Sequence, residues 1–349
     1  MKTRLIILAM CMLAGAVASA HDFSATIDGK RLYFEITSKA KKTVAVTFGG
    51  SAADRKAPGT EGTVEIPAKV KHNNVVYQVD AIGAKAFAGA SRLKGVVIPS
   101  GVESIGDFAF EGCDSLTNVV FPGNPVKFGQ GVFFNCPCIS AVTIGSDWKA
   151  VDLTMFRWSK ELKSIAIPAK VEKIQGLKKL KCLAEVSVDA NNAKFSSADG
   201  LLYSKDGSVL YACPRAYSGK VTVKEGTAKV LDGALIDCTG VTAIDLPASL
   251  REVSFRETSR MSGLEYIALR GDKPIFTGYI GGSGKFLFQL ANPKAQIIVP
   301  ATAKPFYEIV LADEPGEYSE KRDGVPYMVT ASELPTKKSI KGVKNFEKY

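Results

Sequence analysis

Apolar residues recur along most of this chain at a fixed step. Val79-Asp80-Ala81-Ile82-Gly83-Ala84-Lys85-Ala86-Phe87 is echoed by Val102-Glu103-Ser104-Ile105-Gly106-Asp107-Phe108-Ala109-Phe110, 23 residues later. Ile82, Ile105, Phe128, Val151 and Ile174 share one register, and Gly83, Gly106 and Gly129 follow in the next. Phe87, Phe110, Phe133 and Phe156 hold another, which Leu235 resumes later. Next come Leu93, Leu116, Ile139 and Leu162, then Val96, Val119, Val142 and Ile165. Ile98, Phe121, Ile144 and Ile167 close the unit, usually before Pro99, Pro122 or Pro168.

Two local patterns alternate within the unit. Leu-x-x-Val-x-Ile puts three apolar side chains on one face of a short strand, and the proline ends it because it has no N–H for a ladder. Ile-Gly-x-x-Ala-Phe-x-x-Cys spaces its apolar residues three to four apart, which predicts one or two helical turns. A unit this small cannot bury its own apolar face, so units must stack. Strands ~4.8 Å apart in about eight coils predict a parallel sheet roughly 35–40 Å long.

After a shortened fifth unit with its strand at Leu183, Val186 and Val188, an insertion runs from Asn191 to about Val223. Lys205-Asp206-Gly207 between its apolar runs is a hairpin turn signal. The pattern returns at Val230, Ala234, Leu235, Cys238, Val241, Ile244 and Leu246, then at Val253, Leu264, Ile267 and Leu269. A last strand at Ile297 to Pro300 ends the array.

The stretch Ile105 to Pro122, read as Ile-Gly-x-x-Ala-Phe-x-x-Cys-x-x-Leu-x-x-Val-x-Phe-Pro, resembles the BspA-like leucine-rich repeat of bacteroidetes and treponemes. Phe34 to Gly50 with Val64-Glu65-Ile66-Pro67 and Val75-Val76-Tyr77 looks like the β-rich N-terminal cap of that family. Ala198 to Leu210 resembles the hairpin that interrupts many such arrays. The expected fold is therefore an α/β repeat solenoid, a right-handed leucine-rich-repeat coil of short parallel strands and short helical turns. Its expected parts are a signal peptide over 1–20, a cap over 21–78, the array over 79–300 with its insertion at about 191–223, and a C-terminal cap and basic tail over 301–349. The resemblance implies a protein-binding role, since some members of the family are adhesins toward host matrix or other bacteria.

Address and charge narrow this further. Met1-Lys2-Thr3-Arg4, an apolar run from Leu5 to Val17 and Ala18-Ser19-Ala20 have the three-part form of a signal peptide, with His21 as the new N-terminus. Met10 stands before Cys11 where a lipid-anchored precursor wants a small residue. Later apolar stretches fall short of a membrane helix, so no membrane span is expected. Without Lys2 and Arg4 the balance is 43 basic against 35 acidic residues, or +8. That excess suits anionic surfaces or glycans, while no recognised nucleic-acid motif is present. Part of it sits in Lys337, Lys338, Lys341, Lys344 and Lys348, read as a solvated tail.

Catalytic chemistry is hard to assemble. His21 and His72 are the two histidines, both in the expected cap, and nothing in the sequence joins them into a copper site or a triad. Gly281-Gly282-Ser283-Gly284-Lys285-Phe286 fails as a phosphate loop, because Tyr279 and Phe286 stand where Gly and Ser or Thr belong. Asp152 with Glu161, and Glu252 with Glu257, read as surface charges rather than a glycosidase pair. Cys113, Cys136 and Cys238 share one register with Ala90 and read as buried packing thiols, since adjacent coils stand ~4.8 Å apart and a disulfide wants Cβ atoms at ~3.8 Å. Cys136-Pro137-Cys138 lacks a second pair for zinc. No enzyme, metal or cofactor is expected.

Binding is the better expectation. The outward strand rows, Gly95-Asn118-Ala141-Ser164-Glu185-Ala243-Tyr266 and Val97-Val120-Thr143-Ala166-Ser187-Asp245-Ala268, are mostly small, with Tyr266 their one aromatic anchor. The fourth unit departs from the repeat with Trp148 and Trp158, beside Phe134 and Arg157. These five residues, Trp148, Trp158, Phe134, Arg157 and Tyr266, are the candidate binding residues. A surface tryptophan suits a protein partner or a glycan; the ordinary alternative is local repacking of an irregular coil.

Overall fold

A computed structural model describes residues 21–50, 55–56, 61–124, 126–254, 260–272, 275–277, 291–292, 294–305, 318–322, 325–329, 340–344 and 346–347. The expected signal peptide, residues 281–286, Glu257 and Lys337, Lys338 and Lys348 lie outside these residues.

The 23-residue step becomes strand pairing. Gly95, Val96 and Val97 face Asn118, Val119 and Val120 in a parallel ladder, and these face Ala141, Val142 and Thr143. Ser164–Ile167 pairs in the same way with Glu185–Val188. A second stack, which the sequence pattern did not suggest, forms at the Ile-Gly positions. Ala81-Ile82, Ser104-Ile105 and Lys127-Phe128 pair in parallel, as do Ala150–Asp152 and Lys173–Gln175. Each coil therefore contributes two short strands. Between the two stacks Phe87, Phe110, Phe133 and Phe156 stack ring on ring at 5.0, 5.2 and 5.3 Å, all buried. Burying each ring contributes on the order of 2–3 kcal/mol.

Where helical turns are expected, the coils carry single turns rather than continuous helix. Two short 3-10 turns, Leu153–Phe156 and Leu177–Lys179, are the regular helical pieces of the first five coils. In the earlier coils Lys85 and Gly89, and then Phe108 and Gly112, take left-handed backbone angles. Left-handed residues stop these turns from propagating as a helix: the Ala86, Ala88 and Ala90 amides close turns onto Gly83, Lys85 and Phe87, and the amides between them turn along the stack. Lys85, Phe87 and Gly89 donate to Asp107, Ala109 and Glu111 of the next coil, at 2.9, 2.7 and 2.7 Å. Phe108, Phe110 and Gly112 repeat this toward Gln130, Val132 and Phe134. The three-to-four spacing arises because a tightly turned coil also returns side chains to the core every few residues.

Ahead of the array, Phe23–Ile27, Lys30–Ser38 and Thr43–Thr47 form an antiparallel meander, and Thr43–Thr47 pairs in parallel with Val75–Ile82. Gly62–Glu65 adds an edge to the other stack beside Leu93–Val97. The insertion repeats this plan. Phe195–Ala198, Leu201–Ser204 and Val209–Ala212 form an antiparallel meander, and Val209–Ala212 then pairs in parallel with Lys229–Val230. Ser218–Thr222 starts the other stack beside Gly240–Leu246. Asn192 seals the end of the first set of coils. Fully buried, it donates to Pro168 and Val171 carbonyls at 2.9 Å and accepts the Lys194 and Phe195 amides at 2.8 Å.

The outward rows are exposed in their middle coils only. Ahead of the insertion Ala141, Ser164, Glu185, Thr143, Ala166 and Ser187 are exposed, as the alternation predicts, whereas Val97, Asn118 and Val120 are half-buried and Gly95, against the Thr63 side chain, is buried. Past the insertion Ala243, Asp245 and Ala268 are buried instead. Asp245 holds a two-pronged pair to Arg270, at 2.7 and 2.8 Å, and meets Lys220 at 3.0 Å. Burial alone would raise this carboxyl, but the hydrogen bonds from Arg270 and Lys220 outweigh it and hold it below its ordinary value.

Candidate functional site

The fourth coil winds into the 3-10 turn Leu153–Phe156, capped by Asp152, whose carboxylate accepts the Thr154 amide at 2.9 Å. In earlier coils the position of Trp158 is held by Gly89, Gly112 and Asn135, all left-handed; Trp158 is not. A bulky side chain therefore fits there without backbone strain. Its indole is 45% exposed and meets the half-buried Phe134 ring of the previous coil edge-on, 5.1 Å between centroids at 71°. The Arg157 guanidinium lies 5.5 Å from the Trp158 ring.

The row continues down the stack. Phe134 meets Phe108 edge-on at 6.2 Å and 83°, and Lys85 Nζ sits 6.0 Å from the Phe108 ring. A β-carbon at Gly131 would come within 2.6 Å of that ring, so glycine makes room for it. Lys85, Phe108, Phe134, Trp158 and Arg157 thus form one cation-flanked aromatic row across three coil boundaries. Edge-to-face rings and cation–π contacts keep such a row ordered before anything binds.

Sequence reading named three of these five, Phe134, Arg157 and Trp158, and the structure brings them together. It missed Phe108 and Lys85, which occupy the register that Gly131 fills one coil on. An aromatic at a turn position outside the core registers was the available signal.

Trp148 is elsewhere. It is 3% exposed, packs against Phe121 and Phe128 at 5.1 and 5.6 Å, and donates its indole N–H to the Asn124 carbonyl at 2.5 Å. It serves as a packing residue where both stacks are interrupted between the third and fourth coils. As a surface binding candidate Trp148 is corrected: it fills the irregular coil. Tyr266 is half-buried in Tyr266–Leu269, between Gly240–Leu246 and Gln296–Pro300, and belongs to the coils beyond the insertion.

The remaining chemistry is sparse. His72 stacks on Phe23 at 4.1 Å and touches the Asn73 amide at 3.0 Å, while His21 leans on Tyr33 at 4.7 Å. Among the described residues no group of three His, Cys, Asp or Glu side chains is placed to hold a metal ion. All six cysteines from Cys113 onward are free thiols. Cys113 and Cys136 donate to the Phe87 and Phe110 carbonyls of the preceding coil, at 3.3 and 2.9 Å. No helix among the described residues is long and apolar enough to cross a membrane.

Residues 79–197 match the BspA type leucine rich repeat region in six copies. Residues 79–197 are thus a run of BspA-type leucine-rich repeats. Solved structures with similar chains include a leucine-rich repeat protein from Bacteroides ovatus ATCC 8483, 23% identical, covering 77% of this chain and 69% of that one at a TM-score of 0.48. The pneumococcal vaccine antigen PcpA is 17% identical, with 80% and 88% covered and a TM-score of 0.43. A leucine-rich repeat protein from Eubacterium ventriosum ATCC 27560 is 17% identical, with 79% and 77% covered and a TM-score of 0.45. No curated protein matches the chain.

Proposed function

We propose that this BspA-type repeat protein is exported and binds another protein on its outer face, with Lys85, Phe108, Phe134, Trp158 and Arg157 as the anchoring row. The observation that carries this is Trp158, exposed on a rigid stack and held by Phe134 and Arg157. Aromatic and arginine side chains held in place lose little freedom on binding, which is why they dominate interface energetics. In this reading residues 1–20 direct export, residues 21–78 cap the array and the chain from His21 onward works outside the cytoplasm. Adhesion to a host matrix protein or to another bacterium is the role that the family resemblance favours.

The test is surface binding of the chain from His21 onward to a panel of extracellular matrix proteins and glycans at low and high salt. The expected result is saturable protein binding that survives high salt and weakens at least about tenfold in Trp158→Ala, while Trp148→Phe leaves it unchanged. Protein binding indifferent to Trp158→Ala removes the proposed row. Binding to glycans instead, lost in Trp158→Ala, replaces the protein partner with a sugar stacked on the indole.

A further inference from the structure

The short-strand stack is open on one side at Lys173–Gln175. Among the described residues this strand pairs with Ala150–Asp152 and with no second strand, because the chain leaves the array for the insertion. Lys173 donates its amide back to the Lys149 carbonyl at 3.1 Å. Alternation along a strand then turns the N–H and C=O of Ile174 to the open side. Such an edge is a template for another strand.

Beside this edge lies a groove of about 350 Å³ lined by Ile174, Leu177, Phe195, Leu202, Tyr211 and Ala212, with Gly176, Lys178 and Lys179 completing its wall. Its floor is apolar: Leu177, Leu202 and Ala212 are buried, and Phe195 meets Tyr211 edge-on at 5.8 Å. Its rim is basic. The stretch 170–184 carries five lysines and a single acid, Glu172. Lys170 pairs with Asp147, but Lys178 and Lys179, which line the groove, form no ion pair with a carboxylate among the described residues; Lys178 Nζ donates to the Asp232 carbonyl at 3.4 Å.

We infer that this groove is a second docking site, separate from the aromatic row, and that it takes an extended acidic peptide segment of a partner by strand addition. The incoming strand hydrogen-bonds to Ile174 through its backbone. Every second side chain is apolar and enters the groove over Leu177, Leu202 and Tyr211. The remaining side chains are carboxylates and lie toward Lys178 and Lys179 at the rim. Strand addition supplies affinity through the backbone and specificity through alternate side chains. The lysines favour an acidic partner and repel a basic one.

The experiment is fluorescence anisotropy with the chain from His21 onward and a labelled hexapeptide alternating Glu with Val or Phe. Two comparison peptides carry Lys in place of Glu, or N-methyl groups on the amides that would face Ile174. The expected result is binding of the acidic peptide, weakened at least tenfold by N-methylation, by Tyr211→Ala and by the exposed pair Lys178→Glu with Lys179→Glu, whose circular dichroism stays unchanged. No binding of the acidic peptide, or equal binding of the lysine peptide, overturns the site. Acidic binding that ignores N-methylation overturns strand addition.

Discussion

Leu201 and Leu202 are neighbours in one strand, and each is buried in a different hydrophobic core. Leu202, with Ala212, faces the coils before the insertion, whereas Leu201, Tyr203 and Leu210 face the coils that follow. Alternation along a strand makes this possible, since successive side chains point to opposite faces. The inserted meander is therefore a wall between two apolar cores, covering the end of one and the start of the next.

Leu202→Ala is expected to destabilise the coils before the wall and Leu201→Ala those after it, each by about 2–5 kcal/mol. Hydrogen exchange on the two variants checks this. Faster exchange should appear in the ladder of Glu185–Val188 for the first and of Gly240–Leu246 for the second. Identical protection maps would show a single undivided core.

Ser159 occupies the register of Ala90, Cys113 and Cys136 but breaks their pattern. Its hydroxyl is buried without a hydrogen-bond partner, whereas the two thiols before it reach carbonyls of the previous coil. A buried hydroxyl with no partner costs about 1–3 kcal/mol of desolvation. Ser159→Ala should accordingly raise stability by about 1 kcal/mol, read as a higher midpoint in urea unfolding at an unchanged slope. Ser159→Cys should do at least as well, because the longer, larger thiol suits the position. A lowered midpoint for both would mean that the hydroxyl finds a partner in solution.

Alkaline pH should loosen the fold through buried acids that stay neutral. Burial pushes the Tyr203 hydroxyl from 10.0 up to about 12, and the neighbouring Cys136 and Cys238 thiols, together with burial, raise Cys113 and Cys213 above their ordinary 9.0. Their pKa values are higher folded than unfolded, so this contribution is complete below pH 9 and fades as pH rises. The melting temperature should fall from about pH 9 and more steeply past pH 10. Cys213→Ala combined with Tyr203→Phe should flatten that fall; a parallel decline would assign it to other groups.

The sequence by itself determined which residues pair. A 23-residue step with three inward apolar positions per strand leaves one register in which every coil buries the same face, and Val96, Val119 and Val142 take it. It also marked the fourth unit, with Trp148 and Trp158 beside Phe134 and Arg157, as a departure from the repeat. The backbone path between strands was decided only in the folded stack. Spacings of three and four fit both a helical turn and a coil bent by left-handed residues, and hydrogen bonds to the next coil select the bend at Phe108 and Gly112. The separate fates of the two tryptophans were likewise tertiary. Trp148 can reach Phe121, Phe128 and the Asn124 carbonyl of the preceding coil, and is drawn into the core. Trp158 sits on the outside of a turn whose inner positions Leu153 and Phe156 already fill, so its ring stays in solvent.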